Sequence, residues 1–571
     1  MANAVLETAN RTATDRYLSV CSSKLTVFDN ISVSKPSEYR VQAWQMLDNE
    51  LVAMHHAMCI VRSRQNDLVP ISVLPAEILA DIFLRLATTC RSQFPYSGHW
   101  IGATLHVCHR WRTIALQTAN LWTCIHFVFG IDWALDMLKH SLAAPLQVIL
   151  HTQPTELSTC LDYIRNHFFR IKDLSLRVDA RDPDNVLDAL SSPGLMLEKV
   201  SINCSSRSDI PLPRKMFAGV TPVLRRVNLN ACSFLWSCSL FNGLTHLDVN
   251  ASYRYRRGEP FGEPSFPIDG TPTTALDEFV DSLERMPQLE TLRLENCLPY
   301  PPPATVTAEQ KPVVQLPKLR TLLLSGPVSN CAAVLEHIEA NGLHDVYITC
   351  TIVKEEAQLR QRLLPVLAAH TSSMHTRTPF RIFQLSPSCI CLSEAKGGSK
   401  HRLLLRFDEP MDSAMQDVCR ALPFTHLEQI FITAALPFGW SPQVWLELFE
   451  TSDQVRELFL ETPEADFICK ALIPTASTPT IKATFPNLVA LRLKGPHHYW
   501  LTEYHSSAII PLEDYYVWLY KFLQARMEAG MPIESLQVSE AYLELPDPTW
   551  KRKMKVSVTG ECRIETTIRA S

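Results

Sequence analysis

The sequence predicts an α/β protein, a small helical module followed by an irregular strand-rich solenoid, and three observations carry that prediction. Residues 71–122 combine a Leu-Pro helix start with two helical apolar periodicities. From Leu197 onward a Leu-x-x-Leu-x-Leu frame recurs at short intervals, which reads as short strands with alternate residues turned inward. Between its copies, segments such as Asp277–Arg285 and Val334–Glu339 carry a 3.6-residue pattern, so strands and helices alternate.

In chain order, residues 1–35 are polar and weakly patterned, and the expectation is a flexible N-terminal tail. Pro36, Ser37 and Glu38 then open an amphipathic helix over 36–66. Its apolar stripe is Trp44, Leu47, Leu51, Met54, Met58 and Val61, alternating steps of three and four as in a coiled-coil seam. About two and a half heptads fall short of the three or four that make a coiled coil persuasive. The stripe is therefore read as folding back on the following module in preference to pairing with a second copy. His55 and His56 are adjacent, point in different directions on a helix and are expected to be solvated.

The next module spans 67–128. Pro75 stands where a helix tolerates a missing N–H, and Ile78, Leu79, Ile82, Phe83 and Leu86 follow as one apolar face. Glu77, Asp81 and Arg85 fall opposite, with Asp81 and Arg85 at acid-to-base i,i+4 spacing. A second helix is expected to place Val107, Cys108, Trp111 and Ala115 on one face, with His109, Arg110, Arg112 and Thr113 pointing elsewhere; Leu121 and Trp122 close the unit. So short a module cannot bury all these large groups alone, which calls for cover from the chain or a partner. Between the two patterns, Ala87–Ala103 contains Pro95, Tyr96, Ser97 and Gly98 and reads as an exposed insertion.

The ordered set Leu74-Pro75-x-Glu77-Ile78-Leu79-x-x-Ile82-Phe83-x-x-Leu86, Val107-Cys108-x-x-Trp111-Arg112 and Leu121-Trp122 resembles an F-box. The resemblance covers about a tenth of the chain, taking ~50 residues for such a module, and Ala87–Ala103 is longer than the usual F-box loop. It implies a three-helix module that docks on the Skp-type adaptor of a cullin-RING ubiquitin ligase. Leu74, Pro75, Ile78, Leu79, Ile82, Phe83, Val107, Cys108 and Trp111 are the residues expected to contact or support that interface, several of them by filling the module's own core.

Residues 129–571 carry the recurring frame. Leu224–Cys232 and Leu289–Cys297 match the leucine-rich-repeat pattern including its terminal Cys, and frames starting at Leu197, Leu244, Leu319, Leu343, Leu427, Val455, Leu488 and Ile533 keep its apolar positions. Starts at 197, 224 and 244 lie 27 and 20 residues apart, whereas 343 to 427 is a step of 84. The longer steps hold turn-rich stretches such as Gly258–Pro264 and Pro299–Pro303, read as surface loops. A parallel α/β domain buried on both faces would show continuous apolar strands; here polar residues separate the leucines, which favours stacked repeats with one open face. Arg226, Asn228, Asn230, His246, Asp248, Asn250, Arg293, Glu295, Phe459, Glu461, Arg492 and Lys494 would line that face. Singly each reads as a solvated strand residue; collectively they suit a protein target. The aromatic cluster Tyr515 to Phe522 reads as a packed terminal helix.

Composition bounds the remainder. Among 571 residues, 46% are hydrophobic and 20% charged, with mean hydropathy -0.01, ordinary for a soluble multi-domain chain. Net charge -5 and pI ≈ 6.4 supply no basic field for phosphate backbones, so no nucleic-acid partner is expected. No apolar run approaches the roughly 20 residues that cross a bilayer, so no membrane partner is expected. The 17 cysteines lack paired metal spacing, Cys389 and Cys391 being the only close pair, and reduced, buried thiols are expected. P-loop, G-x-G-x-x-G, G-x-S-x-G and H-E-x-x-H motifs are absent, and His497 with His498 lacks further ligands. The resulting expectation is a non-catalytic adaptor without metal or cofactor, cytoplasmic or nuclear, joining a ligase core to an unknown protein target. A non-degradative F-box scaffold is the alternative.

Overall fold

The computed structural model describes the chain except residues 1, 35, 94–97, 151–156, 179–186, 205–209, 252–274, 301–312, 352–355, 395–400, 409–411, 434–439, 462–464, 474–484, 494–511, 540–548 and 566–571. It divides into two units: Met1–Thr123 with Asp136–Ala144, and Cys124–Leu135 with Pro145–Ser571.

The first unit begins with α1, Ala2–Leu25, where a flexible tail is expected from the sequence. The stretch contains neither Gly nor Pro, so nothing interrupts a helix even though its polar composition lacks a clear stripe. A 3₁₀ turn, Thr26–Phe28, precedes α2, Ser37–Asp67, and Lys24 at the end of α1 pairs with Glu50 of α2 at 2.7 Å. Only Ala43 of α2 is buried, so its apolar stripe does not fold away as anticipated. His55 and His56 are exposed.

Three helices follow: α3, Ala76–Gln93; α4, His99–Leu105; and α5, His109–Gln117. Among its described residues, the segment read as an exposed insertion is thus largely helical, α3 running on to Gln93 and α4 beginning at His99. Trp100 explains the difference. Its ring is buried, meets Trp122 edge-on at 5.5 Å and lies under the Arg91 guanidinium at 5.4 Å. Arg91 also donates to the Leu121 carbonyl at 2.7 Å. The turn residues Pro95–Ser97 lie outside the described residues. A second correction concerns Val107 and Cys108, which precede α5 instead of sharing its face. Cys108 is extended and caps the helix, its sulfur accepting from the Trp111 N–H at 3.5 Å.

Among the described residues, the second unit is a 17-stranded open sheet with helices, a mixed α/β domain without barrel closure. Its strands are β1 Cys124–His126, β2 Leu146–Leu150, β3 Ile171–Val178, β4 Lys199–Cys204, β5 Arg226–Asn230, β6 His246–Asn250, β7 Thr291–Glu295, β8 Thr321–Pro327 and β9 Asp345–Thr351. The rest are β10 Ile382–Ser386, β11 Cys389–Ser393, β12 Leu403–Phe407, β13 Gln429–Thr433, β14 Glu457–Glu461, β15 Ala490–Leu493, β16 Ser535–Ser539 and β17 Glu561–Glu565. Hydrogen-bonded neighbours run in chain order from β1 to β9, all parallel. There the order inverts: β9 pairs with β12, β12 and β10 flank the antiparallel β11, and β10 pairs with β13. Parallel chain order resumes from β13 to β17.

The 84-residue step between repeat frames therefore does not interrupt the sheet; a strand set of different connectivity fills it. Arg402 ties that set down, donating to the His344 and Thr378 carbonyls while its guanidinium stacks 5.3 Å from the Phe380 ring.

The framework positions stack in register. Leu174, Val200, Val227, Leu247, Leu292, Leu322 and Val346 form one row, and Leu176, Ile202, Leu229, Val249, Leu294, Leu324 and Ile348 a second. All are buried, while the residues between them are half-buried or exposed. After β5 and β7 the backbone turns through positive φ at Ala231 (55°) and Asn296 (58°). Cys232 and Cys297, which end the two fullest sequence frames, then donate S–H to the Ile202 and Val249 carbonyls of preceding strands. The Asp277–Arg285 pattern corresponds to helix Ala275–Glu284; that of Val334–Glu339 is helical only to Glu336, and Ile338–Glu339 pairs with Val314–Gln315. Leu512–Glu528 is a helix that buries Leu519 and Phe522; the Tyr515, Tyr516 and Trp518 side chains lie outside the described residues.

Candidate functional site

The apolar face read from the start of α3 is in fact two faces. Leu79, Phe83 and Ala87, four residues apart, point inward and are essentially inaccessible. Phe83 meets the Trp111 ring at 5.0 Å, and Trp122 Nε1 donates to the Ala115 carbonyl at 2.8 Å, fixing the C-terminal closure. Ile78 and Ile82, one position back on the same spacing, stand 49% and 40% exposed. Pro75 and Val107 are exposed too, whereas Leu74, Cys108 and Trp111 are half-buried. Of the nine residues singled out, Leu79 and Phe83 are buried in the core, Leu74, Cys108 and Trp111 are half-buried, and Pro75, Ile78, Ile82 and Val107 are exposed.

One supporting residue escaped the sequence reading. Arg110 donates to the Ser72 carbonyl at 2.7 Å and to the Leu74 carbonyl at 2.5 Å, clamping the Leu-Pro segment against α5. Periodicity placed it on the polar side of its helix. No side-chain pattern reveals a partner that is a backbone carbonyl. Val73, 85% exposed beside Leu74, extends the outward apolar surface and was likewise missed. Asp81 and Arg85 form the expected exposed pair at 2.8 Å.

In the second unit, the open sheet face brings part of the remaining set together. Asn228, Asp248 and Arg293 share one cross-strand row, and Asn230, Asn250 and Glu295 the next. Arg226 and His246 precede them in register. Asp248 meets Arg293 at 3.9 Å, and Asn250 donates to Glu295 at 2.9 Å. Burial lifts the Asp248 carboxyl above the ordinary carboxylate range, with Arg293 opposing, while burial and then Arg226 lower His246.

Phe459 and Arg492 lie on the same row, separated from Arg293 by Leu323, Tyr347, Leu404, Cys391, Gln384 and Phe431. Glu461 lies beyond them at the end of β14, and Lys494 lies outside the described residues, as do His497 and His498. The sequence reading missed the middle of the row, because the strands supplying Leu404, Cys391 and Gln384 fall in the 84-residue step without a repeat frame. Phe431 and Phe459 pack at 5.7 Å, and the Tyr347 hydroxyl donates to the His401 carbonyl at 2.8 Å. The face thus has an apolar middle between polar flanks of mixed charge.

Cys389, half-buried, and Cys391, buried, stand on this side of the sheet, their sulfurs 3.5 Å apart and Arg406 in register with Cys389. The hydrogen bond from Cys391, with Arg406 assisting against burial, lowers the Cys389 thiol to about 7; the same bond and burial push Cys391 up. Among the described residues no three His, Cys, Asp or Glu side chains group as metal ligands, and no helix is long and apolar enough to cross a membrane.

Residues 71–128 match the family model described as F-box-like. The match takes in the Leu-Pro segment, α3 to α5 and the first strand, so this part of the chain is an F-box-like domain. No curated protein matches the chain.

Proposed function

We propose that this protein is the substrate-recognition subunit of a Skp–cullin–F-box ubiquitin ligase. The observation that carries the reading is the exposure of Pro75, Ile78, Ile82 and Val107 around the buried Leu79 and Phe83 within an F-box-like domain. Exposed large apolar side chains on a small domain are the mark of a partner, and for this domain the partner is a Skp-type adaptor that bridges to a cullin-RING assembly.

The second unit is the target-binding half, a leucine-rich-repeat-like solenoid whose open face holds a protein. Two features support it: the in-register rows of buried aliphatic residues, and the alternation of buried with accessible positions along the strands. Catalysis belongs to other subunits. The chain contributes proximity, raising the concentration of target lysines near the transferring enzyme, and acts in the cytoplasm or nucleus.

Co-purification of the intact protein with a recombinant Skp-type adaptor tests the central claim. A folded chain that fails to bind overturns it. Proteins crosslinked to the sheet face whose abundance is unchanged by proteasome inhibition would replace degradation by a scaffold role.

A further inference from the structure

We propose that α2 binds a second copy of this chain as an antiparallel two-stranded coiled coil. Of the stripe, Trp44, Leu51, Met58 and Val61 are exposed, Trp44 by 72%, and Leu47 and Met54 are only half-buried. At 31 residues the helix is ~46 Å long, about four heptads. With Trp44, Leu51 and Met58 as a positions and Leu47, Met54 and Val61 as d positions, the seam continues into Gln65 and Leu68, the latter 86% exposed.

The flanking charges select both the partner and its direction. On this heptad Asp48, His55 and Arg62 take e positions, and Glu50, Ala57 and Arg64 take g positions. A parallel pair sets each g residue against the e residue of the next heptad, matching Glu50 with His55 and Ala57 with Arg62, so no carboxylate meets a guanidinium. An antiparallel pair sets e against e and g against g. About a two-fold axis near His56, Asp48 then faces the second copy's Arg62, and Glu50 faces its Arg64, each contact occurring twice. In the same register Leu51 opposes Val61, Met54 opposes Met58 and Trp44 opposes Leu68. The helix is thus complementary to itself reversed. Glu50 already meets Lys24 and Arg64 lies 3.6 Å from Asp67, which leaves Asp48 with Arg62 as the cleaner lever.

Sedimentation of the full chain at micromolar concentration and low salt tests the proposal, with circular dichroism confirming that helix content is retained. The expected result is a dimer that weakens as salt rises. Asp48→Arg and Arg62→Asp each set like charges together twice and weaken the dimer about tenfold, and combining them restores it. With Cys59→Ser as background, Ala57→Cys, at the axis where g meets itself, forms a disulfide-linked dimer on mild oxidation, and Glu50→Cys does not. A monomer overturns the proposal, as does a dimer indifferent to both charge reversals, a double variant that fails to recover, or crosslinking through Glu50→Cys.

Discussion

Replacing Arg110 by alanine isolates the clamp on the Leu-Pro segment from the surface that the segment helps present. The guanidinium makes two charge-assisted bonds, to Ser72 and Leu74 carbonyls, in a half-buried setting. Such bonds contribute roughly 1.5–3 kcal/mol each when fully enclosed, so a combined local loss of about 2 kcal/mol is reasonable here. The substitution should loosen residues 71–78 without unfolding the module, whose core rests on Leu79, Phe83 and Trp122. Adaptor affinity falls in proportion to the population of the ordered segment, so about 2 kcal/mol sets a ceiling of roughly 30-fold. Arg110→Lys should recover little, since one ammonium cannot reproduce a planar fork reaching two carbonyls. Hydrogen exchange of residues 71–78 and adaptor titration measure the two effects together. Unchanged protection and affinity in Arg110→Ala would refute the clamp; lost affinity with unchanged protection would mean that Arg110 touches the adaptor itself.

Three further predictions follow from the same geometry. Ile82→Asp should abolish adaptor binding with thermal stability altered by no more than about 0.5 kcal/mol, whereas Phe83→Ala should cost about 3–5 kcal/mol; comparing binding with melting for each separates surface from core. Cys389 should be alkylated increasingly as pH rises through about 7, because its thiolate, favoured by Cys391 and Arg406, is populated above that point; Cys391→Ala should move the profile upward, as read by mass spectrometry. Gly342→Ala would bring a methyl group to 2.8 Å from the Pro317 carbonyl, and chemical denaturation should register a loss of about 1–3 kcal/mol.

Much of the architecture can be read from residue patterns because its parts are locally encoded. Leu289-x-x-Leu292-x-Leu294 and its neighbours announce strands whose partners are the next copies of themselves, so register follows from repetition. Ile78 and Leu79 show where that legibility stops: both are apolar and adjacent, and only the packing of the helix decides which turns inward. Trp100 is similar, since a lone tryptophan among turn residues gains its meaning from Trp122, more than twenty positions away. The strands around Cys389–Cys391 carry no repeat frame and pair out of chain order, which no periodicity encodes. Arg110 bonds only to backbone, and backbone leaves no trace in composition.

The inverted strand order between β9 and β13 bears on how the second unit comes apart. Elsewhere each strand rests on its predecessor in the chain, so fraying can proceed one strand at a time from either end. At β9 the next neighbour in space is β12, already more than fifty residues downstream, and β10 and β11 lie beyond it. No single strand there can leave or dock alone. The hairpin and β12 must move as a set, with Arg402 as their fastener, dividing the sheet into an N-terminal and a C-terminal block that melt against a shared seam. Stepwise loss under mechanical pulling should pause at that seam, part-way along the sheet.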